Sequence, residues 1–345
     1  MGQEITTDNN INTERSIRQN SLSRKQISWH ISLLIVTLVP LLGLPLAYNI
    51  QLPFETSFLI GLGIFIGGVC HVASTYTFYV DKEARQIMNG MKMRFYLIPI
   101  IGIAFTLLAI TSGNHIPIAQ NVLLFIFLFH LAWLYFHYQR QNYGLLAFAA
   151  ASHGKRLPEF VMRLVMIPPL AGALATFPQL ISMSLQIDLP LANWQHLLKA
   201  GAISLYIVTA VILVRMAIRH RDVFAQPMVI LFTLTSFGFF LPGLLIKDIQ
   251  FAFWSYAIAH GLQYLLMVGI VNYQSAKRWL SMLALILFAV AGGWGLERLY
   301  GNNALFISGI ALTWVHFILD ARLWRMRDAA VRPYLQQRFG FIFKK

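Results

Sequence analysis

The sequence predicts an all-α, polytopic integral membrane bundle of about ten transmembrane helices, with both termini on the cytoplasmic side. Three observations predict it. The 345 residues are 57% hydrophobic and only 12% charged, where a soluble protein of this size carries about a quarter charged residues. Apolar runs recur from Ile27 to Trp324, at about the 20 residues a helix needs to cross the bilayer core. Lys and Arg gather in short clusters between those runs rather than in one stripe, which signals topology and not a nucleic-acid footprint. The net charge of +14 therefore points to anionic headgroups of the lipid bilayer as a partner, and nucleic acid is not expected.

Taken in order, residues 1–26 are polar with no apolar core, and read as a cytoplasmic tail rather than a cleaved signal. Met1-Gly2 with Thr6 matches a myristoylation pattern, although a ten-span protein gains little from an acyl anchor. The transmembrane domain is placed at 27–325, with spans near 27–48, 54–80, 95–111, 118–138, 159–181, 197–218, 228–246, 251–273, 279–297 and 305–324. Residues 326–345 read as a basic cytoplasmic C-terminal tail. Pro53, Pro117 and Pro227 stand near span starts, where a missing N–H costs little. Pro40, Pro45, Pro168, Pro169 and Pro242 fall inside spans and are expected to kink them. The segment Gln141–Gly154 either extends the fourth helix or lies along the inner surface.

Charge tests this arrangement. With a cytoplasmic N-terminus, 23 of the 27 Lys and Arg fall on inward segments, and only Lys199, Lys247 and Arg298 fall outward. Arg163 lies at the inner end of the fifth span. Adding or removing one span would scramble that alternation. The one cysteine, Cys70, excludes an internal disulfide and a zinc site built from cysteines.

Ionisable groups inside a bilayer are costly, so each is a functional hypothesis. Five of the ten histidines, His30, His115, His153, His196 and His220, fall at span edges or in loops. The other five lie within even-numbered spans, all running from outside to inside: His71 in the second, His130 and His137 in the fourth, His260 in the eighth, His316 in the tenth. Counted from the outer edges, His71, His130, His260 and His316 differ in depth by about 12 Å at 1.5 Å per residue, with His137 and Asp320 deeper. His130 and His137 share a helix face, and His316 and Asp320 are adjacent at i,i+4.

This pattern suits a metal. Neutral imidazole ligates iron, copper and zinc without bringing charge into the membrane, and helix bundles build metal centres from inward-facing side chains. His71, His130, His137, His260 and His316 are the candidate ligands. Asp320 either ligates too or anchors a ligating histidine. Tyr264, four residues after His260, either hydrogen-bonds a bound oxidant and orients the ring or is a satisfied core tyrosine. Any one intramembrane histidine is also read as an interhelical hydrogen-bonding residue. Gln139, Arg140, Gln141, Asn142 and Tyr143 read as a helix end with an aromatic belt, and Asp81 with Lys82, Glu83 and Arg85 as a solvated loop.

The order of histidine-bearing helices resembles the bacterial Brp/Blh family of β-carotene dioxygenases. The likeness lies in His71 after the pair Gly67-Gly68, His130 mid-chain, His260 near the end of the third quarter, and His316 with Asp320 in the last span. The sequence departs from that family in Tyr264, where a second histidine would be expected, and in Val69-Cys70 before His71. The resemblance implies a polytopic, iron-dependent enzyme of a bacterial cytoplasmic membrane. The expected function is thus a membrane-embedded non-haem iron oxygenase or oxidoreductase, acting on a lipid-soluble small molecule and supplied by an electron donor. Three alternatives stay open: a haem-binding electron-transfer protein, with haem or another transition metal in place of non-haem iron, a transporter using the histidines and Asp320 as a proton or metal relay, and a purely structural or assembly role.

Overall fold

Apolar segments removed from water must satisfy their backbone groups internally, and this chain does so with helices. The computed structural model describes residues 23–50, 58, 61–63, 65–113, 117–185, 192–273, 275–300 and 302–343, and no strand occurs among them. Most of the expected N-terminal tail, 1–22, lies outside the described residues, as do Pro53 and residues 54–57, 59–60 and 64 of the second predicted span.

The principal helices are α1 (Arg24–Asn49), α2 (Gly61–Val80), α3 (Lys82–Asn89), α4 (Ile98–Gly113), α5 (Pro117–Ser152), α6 (Pro168–Leu185), α7 (Ala192–Arg219), α8 (Pro227–Gly238), α9 (Ile249–Tyr273), α10 (Ala276–Tyr300), α11 (Asn302–Leu323) and α12 (Arg332–Arg338). The predicted spans are helical over most of their described residues, but the fifth is broken at 166–167 and the seventh at 239–241. Among those residues, six stretches are long and apolar enough to cross a membrane: Arg24–Asn49, Gly61–Val80, Glu159–Ser182, Trp194–Arg219, Ile249–Tyr273 and Ala276–Gly295. Met93–Thr106 and Pro227–Gly238 are shorter apolar helices.

The exposed faces are themselves apolar. Ile31, Ile35, Val39, Leu42 and Leu46 form an exposed stripe along α1, and Ile207, Val211, Val214 and Ile218 do so on α7. Helical spacing has placed these residues outward on one face, an inversion of the water-soluble pattern. Helix α9 is central and α10 peripheral, since 67% of the most apolar window of α9 is buried against 6% for α10.

Proline marks the irregularities. Pro117 and Pro227 open helices as predicted. Pro40 lies in a π turn, Val39–Gly43, and Pro168 and Pro242 begin new helical segments after breaks. Helix α5 runs on through Gln141 to Ser152. Its 36 residues make it about 54 Å long at 1.5 Å per residue, so Gln141–Gly154 extends the fourth helix rather than lying flat over its helical part.

The segment read as a C-terminal tail is folded over its described residues, 326–343. Leu335, Phe339 and Ile342 are fully buried in the apolar cluster that also holds Trp29, Phe148 and Leu319. The Gln26 amide donates to the Ile342 carbonyl at 2.7 Å, tying this segment to the start of α1. Arg338 within it is paired, reaching Glu83 at 3.0 Å and Asp81 at 3.5 Å. Asp81 is no solvated loop residue. It is 4% exposed, caps α3 by accepting from the Glu83 and Ala84 amides, and pairs with Arg278.

Candidate metal centre

Four helices carry the site: α2, α5, α9 and α11. Helices α2 and α9 approach almost backbone to backbone. A Cβ on Gly67 would stand 2.6 Å from the Ala257 carbonyl carbon, and one on Gly261 would stand 2.6 Å from the Ile66 oxygen. Only glycine permits that crossing. Immediately before His71 the chain makes a π turn, Phe65–Cys70, and the extra residue rotates the rest of the helix by about 100°. Together these bring the His71 and His260 rings to 5.0 Å between centroids.

His316 and His137 complete the group. The His71 and His316 rings are 4.8 Å apart, as are His137 and His316, and His137 and His260. The ligand atoms of His71, His260 and His316 lie within 4.8 Å of one another, and those of His137, His316 and Asp320 do likewise. All five residues sit between the two main apolar clusters of the bundle, beside Tyr138 and Ala259 of one and Tyr264 and Leu319 of the other. His260 and His316 have no exposed surface.

The distances can be tested against a metal. His137 Nε2 is 2.9 Å from His316 Nε2, and Asp320 Oδ2 is 3.6 Å from the first and 3.7 Å from the second. A triangle with those sides has its centre about 2.0 Å from each corner, the length of zinc bonds to imidazole nitrogen and carboxylate oxygen. Two imidazole lone pairs at 2.9 Å repel unless a proton or a cation lies between them. In addition, Nδ1 of His71 and both ring nitrogens of His260 are buried with no hydrogen-bond partner among the described residues, where buried polar atoms ordinarily have one. The donor set thus suits a first-row cation that accepts imidazole and carboxylate.

A second layer of hydrogen bonds holds the set. Thr75 Oγ1 lies 2.7 Å from His316 Nδ1 and 2.9 Å from the Tyr264 hydroxyl. The Thr75 hydroxyl has one hydrogen, for Tyr264 or for the His71 carbonyl at 3.2 Å; with it given to either, His316 donates from Nδ1 and its Nε2 is left as the ligand atom, the arrangement typical of metal-bound histidine. Tyr264 in turn hydrogen-bonds Asp320, and the Trp324 indole N–H donates to Asp320 Oδ1 at 3.1 Å. Oδ2 therefore faces the two histidines.

No known family, curated protein or solved structure matches the chain.

That geometry places His71, His137, His260, His316 and Asp320 together, with Tyr264 one layer out. His130 is elsewhere: its ring is 5.7 Å from Phe317 and 5.9 Å from Trp314, two turns or about 10 Å from His137. The depth count favours His130 over His137 because counting from an apolar edge treats every helix as upright and equally long. Helix α5 starts at Pro117 and runs far past the others, so its seven-residue spacing selects the lower histidine.

Sequence reasoning misses Thr75 and Trp324, each four residues after a residue it does single out, His71 and Asp320. It also takes Gln139–Tyr143 for a helix end. Gln139 and Asn142 are buried, Gln139 reaches the Val165 and Ser236 carbonyls, and Gln263 donates to Thr37 at 2.7 Å and Asn142 at 3.1 Å while accepting from Gln141 at 2.8 Å. Gln141 also donates to the His260 carbonyl at 3.2 Å. This network ties α1, α5, α8 and α9 beside the histidines.

Proposed function

We propose that the protein is a multi-pass membrane metalloprotein of the bacterial cytoplasmic membrane that holds one non-haem metal, iron by our reading, and acts as an oxidoreductase on a lipid-soluble substrate. The observation that carries it is the convergence of four buried imidazoles and one carboxylate from four helices, with orphaned nitrogens at His71 and His260 and a tautomer-setting partner at His316. Ten spans with both termini inside are supported by the helical segments and the Lys and Arg alternation.

In this function His71, His137, His260 and His316 bind the metal, and Asp320 Oδ2 completes or steadies the set. Such a metal would supply one-electron redox chemistry at the centre of the group. Thr75 orients His316, while Tyr264 and Trp324 hold Asp320. The apolar packing on both sides excludes water. A hydrophobic substrate is offered a lateral route by aromatic rings on α5 and α11: lipid-facing Phe125 stacks on Phe129, which stacks on Trp133 and Trp314, and Trp133 meets Phe317, whose ring is 4.7 Å from His137. The resemblance to β-carotene dioxygenases favours iron and an elongated apolar substrate.

Haem fits less well. A haem would need the space of its planar macrocycle between the two imidazoles that held it. The 2.9 Å between His137 and His316 leaves no room for one. A relay has less support too, because Asp320 is the one carboxylate in contact with the histidines among the described residues.

The test is metal analysis by inductively coupled plasma mass spectrometry, with an optical spectrum, on protein purified in detergent after growth in metal-replete medium. Near-stoichiometric iron without a Soret band is expected, lost in His137→Ala, His260→Ala and His316→Ala and retained in His130→Ala. A Soret band would transfer the case to haem. No bound metal would remove the proposal.

A further inference from the structure

One end of α11 carries charge that the metal centre does not use. Arg322 and Arg325 follow Asp320 by two and five residues, and with Arg327, Asp328 and Ala329 they line a cleft. Arg94, before α4, and Arg140, on α5, lie within electrostatic reach of Arg325. Among these groups the carboxylate is Asp328, already engaged by Arg322 and by the Ala330 amide. Five guanidinium groups thus meet one carboxylate.

Elsewhere the buried arginines are matched, Arg278 and Arg338 by Asp81 and Glu83. Here they are not. Orphaned Nε atoms occur in both places, on Arg278 and Arg338 as on Arg94, Arg322 and Arg325, but among the described residues no carboxylate stands within ion-pair distance of Arg94 or Arg325. Burial, and after it the neighbouring arginines, hold both guanidinium groups below their ordinary pKa. Bringing like charges together against both desolvation and repulsion leaves a preformed demand for an anion. Planar forks converging on a cleft match the tetrahedral oxygens of phosphate better than a single carboxylate.

We propose that Arg322, Arg325 and Arg327, with the charge of Arg94 beside them, form a specific binding site for a phosphate group, at the end of the bundle beneath Asp320. Arg140 adds long-range attraction from the side. A phosphate held there has two sources, the head of a membrane lipid or a free phosphate, and both present the same oxygens. The site does not depend on the metal, and its test does not read the metal.

Native mass spectrometry of the full chain released from detergent decides it, with dioleoyl phosphatidic acid in one arm, inorganic phosphate in another and dioleoyl phosphatidylcholine as the zwitterionic comparison. Expected is one phosphatidic acid per chain, bound about tenfold more weakly by the double variant Arg94→Gln, Arg325→Gln. The pair Arg215→Gln, Arg219→Gln, which removes the same charge at the end of α7, should change it less than about twofold. Arg327 is exposed, so Arg327→Gln tests the cleft without risk to the core and should weaken binding about threefold. Inorganic phosphate bound with the same dependence, without lipid, supports the site and names the free anion as its ligand. Binding of neither, binding of phosphatidylcholine equally well, or equal losses from both double variants would overturn it.

Discussion

Thr75→Val removes two hydrogen bonds between helices, a longer one to the His71 carbonyl within α2, and almost no volume, and so isolates what the second layer contributes. Thr75 is fully buried, 2.7 Å from His316 Nδ1 and 2.9 Å from the Tyr264 hydroxyl. Valine leaves His316 without the partner that sets its tautomer and frees Tyr264, the neighbour of Asp320. Hydrogen bonds between membrane helices average about 0.6 kcal/mol and reach about 1.7, so two together are worth about 1–3 kcal/mol. That matches the roughly 10–100-fold loss of affinity usual when the partner of a ligating histidine is removed, at about 1.4 kcal/mol per decade. The assay titrates purified protein with a chelator of known affinity and measures metal retained. Thr75→Val should release metal at about 10–100-fold lower chelator concentration, and Thr75→Ser should behave as wild type. If Thr75→Val holds metal as tightly as wild type while His316→Ala loses it, Thr75 does not orient the ligand.

Gly67→Ala drives a methyl group into the Ala257 backbone and should cost about 1–3 kcal/mol by overpacking. Cys70, buried and the only cysteine, reports that loss as earlier labelling by a thiol-reactive dye on heating. Gln263→Leu breaks three hydrogen bonds to Thr37, Gln141 and Asn142, and at about 0.6 kcal/mol each should lower stability by about 2 kcal/mol in the same assay. An unchanged midpoint would mean that the polar network is not a stabilising tie. For orientation, single cysteines placed at Arg156 and Lys247 in a Cys70→Ala background should react with an impermeant reagent from opposite sides, Arg156 from the cytoplasm. Labelling of both from one side would break the ten-span topology.

Much of the fold is legible because lipid-facing apolar runs and positive clusters are local signals. The stripe Ile31, Ile35, Val39, Leu42 and Leu46 declares itself by spacing alone. The site is partly legible by the same rule of helical adjacency: His71 with Thr75, His260 with Tyr264, and His316 with Asp320 are all i,i+4 pairs, although only the last two stand out in the sequence. What spacing does not carry is rotation and tilt. The π turn before His71 and the glycine crossing of α2 and α9 set which face looks inward, and the length of α5 sets which histidine arrives at the common level. Asp81 and the segment 326–343 escape for a related reason. Their partners, Arg338 and Arg278 for the one and Trp29 and Phe148 for the other, lie hundreds of residues away.

That terminal segment also gives the molecule an order of assembly. Ribosomal synthesis delivers α2, α5 and α9 before α11, so His71, His137 and His260 are in the bilayer before His316 and Asp320 exist. The last described residues, Arg332–Arg338 and Gly340–Phe343, then dock on Trp29 and Gln26 from the start of the chain. The interval between those events is when the interior stands open from the side α11 will fill. Docking is also what brings the Phe339 ring to 6.1 Å from that of Trp324 at the end of α11.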